Sequence, residues 1–174
     1  MRWLPFQLNP DLPEDGIPRE EYVARKFGAR GKGVNERVTM AGRQVGIPFA
    51  YEKMKVQPNT LNAHRLLLYA ERAGKQDALS EELFRAHFTE GANLTDREAL
   101  ADVAARAGLD RKAVADYLAG DAGRDQIAQA EVEARSAGIG GVPFFIFNRK
   151  VGVSSAQDPE ALLEAMEQAL NSSD

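Results

Sequence analysis

Gly138-Ile139-Gly140-Gly141-Val142-Pro143-Phe144-Phe145-Ile146-Phe147 is the stretch on which the reading of this chain turns. Its glycines end a helical segment and permit a sharp, left-handed or close-packed turn. Pro143 then fixes the backbone, and four bulky apolar residues follow as a fully buried strand. A turn bounded in this way and leading into a buried strand has the makings of a site. Downstream, Asn148-Arg149 predicts a tight turn, Lys150 to Val153 a second short strand, and Asp158-Pro159 the start of a helix. Proline at the first helical position gives up no needed donor, and an aspartate N-cap satisfies orphan amides. The chain therefore closes as strand, strand, helix.

The composition bounds the rest. In 174 residues, 44% hydrophobic and 28% charged, there is room for one soluble domain with a real core and a subdomain. A net charge of -4 argues against general affinity for nucleic acid, and no run approaches the ~18 apolar residues of a membrane span. Met1-Arg2-Trp3-Leu4-Pro5-Phe6 lacks the apolar core and small-residue cleavage site of a signal peptide, so the expected setting is cytoplasmic. Asn93-Leu94-Thr95 and Asn171-Ser172-Ser173 fit the glycosylation pattern and, without an export signal, read as chance. Cysteine is absent, which excludes a disulfide framework, a zinc-thiolate site and a thiol nucleophile within these residues.

Between the ends the text is helical. Arg2 to Leu8 alternates apolar and polar residues and predicts a strand, with Pro5 favouring an edge. The run Asn9 to Gly16 is turn chemistry. A helix from about Pro18 to Phe27 has acids first and bases last, as the helix dipole prefers, and Gly28 ends it. Arg25 to Gly33, with Ala29-Arg30 and Lys32, is read as a solvated loop and not a phosphate loop, because no Ser or Thr follows Gly31-Lys32 and no strand precedes it. Val34 to Val45 predicts a helix, and Ile47 to Lys55 a mixed extended segment. Further helices are expected from Pro58-Asn59-Thr60 onward, at Asp77 to Glu90, Thr95 to Ala107, Arg111 to Leu118 and Asp121 to Ala137, with a capping box at Thr95-Asp96-Arg97-Glu98. His64 and His87 lie in different helices without a ligand spacing, so no metal site is expected. The tail Asn171 to Asp174 is expected to fray.

The closing strand, strand and helix resemble the C-terminal half of a thioredoxin fold, in which the X-Pro bond before the third core strand is held cis; Val142-Pro143 matches that bond. Five motifs in register extend the resemblance: Trp3-Leu4-Pro5-Phe6-Gln7-Leu8-Asn9-Pro10, Pro58-Asn59-Thr60-Leu61-Asn62-Ala63-His64-Arg65, Leu83-Phe84-Arg85-Ala86-His87-Phe88, Gly138 to Phe145, and Ser155-Ala156-Gln157. Together they resemble the FrnE branch of the DsbA-like oxidoreductases, which is similar to 2-hydroxychromene-2-carboxylate isomerases and kappa-class glutathione transferases. The resemblance runs from Arg2 to about Leu170. It implies an α/β, thioredoxin-like fold, with residues 1–16 and 138–174 as its β-rich part and residues 17–137 as a large all-helical insertion.

The same resemblance implies that the family's first strand and helix, with the Cys-x-x-Cys or serine that opens the helix, precede the stretch matching Arg2 to Phe6. The expectation is that this N-terminal βα unit is missing from the chain, leaving the strands Trp3 to Phe6 and Phe144 to Phe147 beside an absent central strand. The parent chemistry is then dithiol oxidoreduction, or glutathione-linked isomerisation or transfer, and no catalytic residue is expected in these residues. Val142 would present its backbone N–H and C=O to an extended thiol or disulfide peptide, or to glutathione, the one cofactor-like molecule the resemblance suggests. Pro143 shapes that edge, Gln157 and Asp158 correspond to where relatives hold the γ-glutamyl end, and Asn59 and His64 face the cleft. A non-catalytic module that binds peptides or assembles with itself is the opposing reading. Three expectations follow: no disulfide reductase activity, a cis Val142-Pro143 bond, and association into a homo-oligomer through unpaired strands.

Overall fold

The structure is a computed structural model and describes residues 1–28 and 31–172. The expectations placed on Ala29-Arg30, on the Lys32 side chain and on Ser173-Asp174 lie outside the described residues. The chain forms two compact units, Met1–Ile127 and Ala128–Asp174, and each is described by itself.

In the first unit, β1 (Ile17–Pro18) pairs antiparallel with β2 (Val56–Gln57), Ile17 opposite Gln57 and Pro18 opposite Val56. Between them lie α1 (Arg19–Phe27), α2 (Gly31–Gln44) and a 3-10 turn at Tyr51–Lys53. The helices α3 (Leu61–Arg72), α4 (Gln76–Arg85), α5 (Arg97–Arg106) and α6 (Arg111–Ala119) follow. Leu66, Ala70, Leu79, Leu100, Ala104, Val114 and Leu118, all closed to solvent, are the centre of their shared core. Apolar residues at helical spacing place one stripe of each helix inward. The chain leaves this unit within α7 (Arg124–Ser136).

Several expectations are corrected here. Arg2 to Leu8 is not a strand: Pro5 offers no donor, and the Trp3 backbone is served by a side chain. Its N–H donates to Gln76 Oε1 at 2.9 Å, and Gln76 Nε2 donates back to its carbonyl at 3.0 Å. The indole Nε1 donates to Asp77 Oδ1 at 2.6 Å. The helix expected over Asp77 to Glu90 ends at Arg85 and widens into a π turn at Ala86–Glu90. That widening lets the Phe88 carbonyl accept from Ala50 N–H at 2.8 Å. Gly91 closes the turn at φ 76, so near Lys53 that a Cβ would stand 2.8 Å from its carbonyl, and only glycine fits there. The cap of α5 is Asp96, which accepts from Glu98 N–H at 2.9 Å, whereas the Thr95 hydroxyl donates to Asn93 Oδ1 at 2.8 Å.

In the second unit, β3 (Phe144–Phe147) and β4 (Val151–Ser154) form an antiparallel hairpin. The turn residues Asn148 and Arg149 have φ of 51° and 59°, the primed geometry that matches the right-handed twist of the strands. Phe145 and Phe147 share one face with Val153 and Val151, and Phe144 and Ile146 share the other with Ser154 and Gly152. The helix α8 (Pro159–Asn171) packs on the hairpin and buries Ala165 and Ala169. Asn148 Nδ2 donates to the Ala169 carbonyl at 3.2 Å, and Lys150 Nζ to that of Ser172 at 2.6 Å. The strand β3 is not the fully buried strand that its composition suggests: Ile146 is 48% exposed and the phenylalanines are half-buried. Within this unit one helix lies against a two-stranded ribbon, which cannot cover both faces.

Candidate functional site

The end of α7 is closed by Gly138 at φ 80, with Gly138 N–H donating to Arg135 O and Ile139 N–H to Ala134 O, both at 3.0 Å. This double closure satisfies the last carbonyls of a helix and releases the chain into the loop 139–143. The Val142-Pro143 bond is cis. Beyond the last ladder pair, Phe144 with Ser154, the Pro143 carbonyl accepts from Ser155 N–H at 2.9 Å. Ser155 itself adopts φ 68. This bond ties the loop that carries Val142 and Pro143 to the segment that carries Gln157 and Asp158 into α8.

Each group there has a definite state. The Val142 side chain is 47% exposed, and neither its N–H nor its C=O has a hydrogen-bond partner among the described residues. Gln157 Nε2 donates to the Ser154 carbonyl at 3.0 Å, which fixes the side chain and leaves its oxygen outward. Asp158 takes the N-cap position of α8 with extended backbone, φ -63 and ψ 150, but its carboxylate makes no capping bond. That corrects the expected aspartate cap and leaves the carboxylate for a ligand. The arrangement offers a main-chain donor and acceptor, an amide oxygen and a carboxylate. Its chemistry suits an extended chain with a cationic end.

Asn59 and His64 belong to the first unit and have partners there. Asn59 is buried, donates from Nδ2 to the Leu12 carbonyl at 2.7 Å and accepts from Leu61 N–H at 2.9 Å. It thereby fixes the 9–16 turn to the start of α3. His64 is half-buried on α3; burial pushes its pKa down to about 4, against a hydrogen bond to the Phe6 backbone that favours the charged form. The ring is neutral at pH 7. His87 is likewise held below its usual range by burial, with Nδ1 3.4 Å from the Ala92 carbonyl. Among the described residues no group of histidines and acids could hold a metal ion, and no helix is long and apolar enough to cross a membrane.

Two residues escaped the sequence reading. Arg65, closed to solvent, donates from Nε to Ala122 O at 2.8 Å, from NH1 to Asn62 Oδ1 at 2.7 Å, and from NH2 to the carbonyls of Tyr117 and Gly120. Nothing local announces it, since all but one of its partners lie more than fifty residues on. Arg19 did carry a signal: it is a cation in the first turn of α1, against the helix dipole.

Two comparisons with known proteins give the same description. The DSBA-like thioredoxin domain model matches residues 1–167. A crystal structure of a probable DsbA oxidoreductase from Streptomyces coelicolor superposes with a TM-score of 0.90 at 29% identity, over 98% of this chain and 75% of that one. No curated protein matches. The α/β, thioredoxin-like fold with a helical insertion is therefore the fold of this protein. A domain match over nearly the whole length, with a loop and hairpin where such a fold carries its proline turn, leaves one assignment: the chain belongs to the DSBA-like thioredoxin domain family.

Proposed function

We propose that the open end of the β3–β4 hairpin holds an extended thiol- or disulfide-bearing peptide, glutathione included, in a DsbA-family protein of the FrnE type whose 174 residues carry no thiol. The observation that carries this reading is the unpartnered N–H and C=O of Val142, exposed beside Pro143. A main-chain donor and acceptor in this state accept a peptide as a further strand would be accepted, with pockets supplying specificity. Pro143 shapes the edge, while Gln157 Oε1 and the Asp158 carboxylate suit the ammonium end of the ligand. The probable DsbA oxidoreductase among the similar structures supports the dithiol branch. Exchange itself needs a thiolate and a partner sulfur, and the sequence has no cysteine, so these residues bind without exchanging. In this reading residues 1–16 and 138–174 are the thioredoxin-like part, residues 17–137 the insertion, and the setting cytoplasmic. The strand β3, paired on one side only among the described residues, is the edge by which a second copy associates.

Titration of the 15N-labelled 174-residue protein with glutathione disulfide, followed by amide shifts, tests the site. The Val142 amide is expected to move saturably, and Asp158→Asn to weaken the effect. A Val142 amide unmoved at millimolar ligand overturns the reading. In an insulin-turbidity assay the protein should match the blank; reduction above it would require another nucleophile. Light scattering over a dilution series should show mass rising with concentration, and a constant monomer mass would remove the self-association.

A further inference from the structure

Arg19 stands where the positive end of a helix dipole opposes it, and its guanidinium is half-buried. NH1 donates to Gln57 Oε1 at 2.7 Å, and the group lies over the Tyr51 ring, with Cζ 5.4 Å from its centre. Among the described residues no carboxylate stands within ion-pair distance of it, and its Nε and NH2 make no hydrogen bond. Burial lowers its pKa, and no carboxylate figures among the groups that act on it. A partly desolvated, uncompensated cation of this kind draws an anion.

The cation borders an open groove of about 380 Å³ between α1, α2 and the 51–54 segment. Val23 and Met54 give it an apolar wall; the Asn35 amide and the Tyr51 hydroxyl, neither bonded to another described residue, also border it. Glu20 lies on the rim, exposed, and does not figure among the charges acting on Arg19. The volume is at the small end of the ~300–1,000 Å³ of ligand sites. One guanidinium edge beside an apolar wall matches a singly charged planar carboxylate with a short apolar body better than a phosphate, which has no apolar part.

We propose that this groove is a binding site for a small organic carboxylate, received on the Nε and NH2 edge of Arg19, with Asn35 and Tyr51 as further donors and Val23 and Met54 against its apolar body. The site is independent of the Val142 edge. The probes are 4-methylpentanoate, its primary amide and inorganic phosphate, added to the 15N-labelled protein. The carboxylate should shift Arg19 Nε–H and the Asn35 side-chain amide saturably, with the primary amide and phosphate both weaker by about tenfold or more. Arg19→Gln should lose about tenfold or more in affinity. Asn35→Glu leaves Arg19 in place and offers it a carboxylate from the far wall, so it should lose binding while melting as the wild type does. No saturable shift, equal binding of acid and amide, preference for phosphate, or binding that survives Arg19→Gln would each overturn the proposal.

Discussion

In residues 1–127 the leucines 66, 79, 100 and 118 are closed to solvent, and the one large cation among them, Arg65, is bonded on every nitrogen. In residues 128–174, Ile146, Leu163, Met166 and Leu170 are 48%, 56%, 44% and 77% exposed. The difference lies in how much each unit can cover. Antiparallel helices with short connections surround one another, and every added helix closes another face. A hairpin with one helix has a single interface, and its remaining apolar residues stay open. The first unit therefore has the larger reserve of stability, while the second carries the accessible main chain of the candidate site.

Arg65→Leu should break the first side of this contrast hardest. It leaves the carbonyls of Tyr117, Gly120 and Ala122 and the Asn62 oxygen without their donor, for a loss of roughly 3–5 kcal/mol. Urea unfolding followed by Trp3, the single tryptophan, measures it; a loss under about 1 kcal/mol would mean that water replaces the guanidinium. Matched truncations sharpen the contrast. Leu100→Ala should cost about 2–5 kcal/mol, and Leu163→Ala no more than about 0.5 kcal/mol, compared in thermal melts of the same chain. Equal losses would show the second unit to be better covered than its exposure implies.

His64 tests the first unit by pH. Its folded-state pKa is about 4, below the ordinary 6.5, so the unfolded state binds more protons between those values. Stability from this group is complete above about pH 7 and falls as the pH drops from about 6.5 to about 4, by on the order of 2–3 kcal/mol. Urea midpoints of wild type and His64→Gln over that range should converge toward low pH. Parallel curves would show that the ring keeps its ordinary pKa. A small effect is also expected in the second unit, where Arg149 occupies the left-handed region at φ 59. Arg149→Gly should slow hydrogen exchange of the β3 and β4 amides by about 0.5–1 kcal/mol, and faster exchange would contradict the assigned turn.

The sequence by itself determined what depends on neighbours along the chain. The turn at Asn148-Arg149, the hairpin it joins, the proline at the head of α8 and the glycine that ends α7 are all set by local φ preferences and short-range hydrogen bonds. The nearness of the proline loop to the segment entering α8 was legible for the same reason, because one hairpin brings 143 beside 155. Tertiary structure decided whatever a distant partner controls. Trp3 is held by Gln76, 73 residues away, and not by a strand; Asn59 is held by Leu12, 47 residues away; and the π turn at 86–90 carries the Phe88 carbonyl that accepts from Ala50. Periodicity marks which residues avoid water, but burial of a polar group requires a particular partner. For Asn59, Arg65 and Trp3, that partner became identifiable only once the chain had folded.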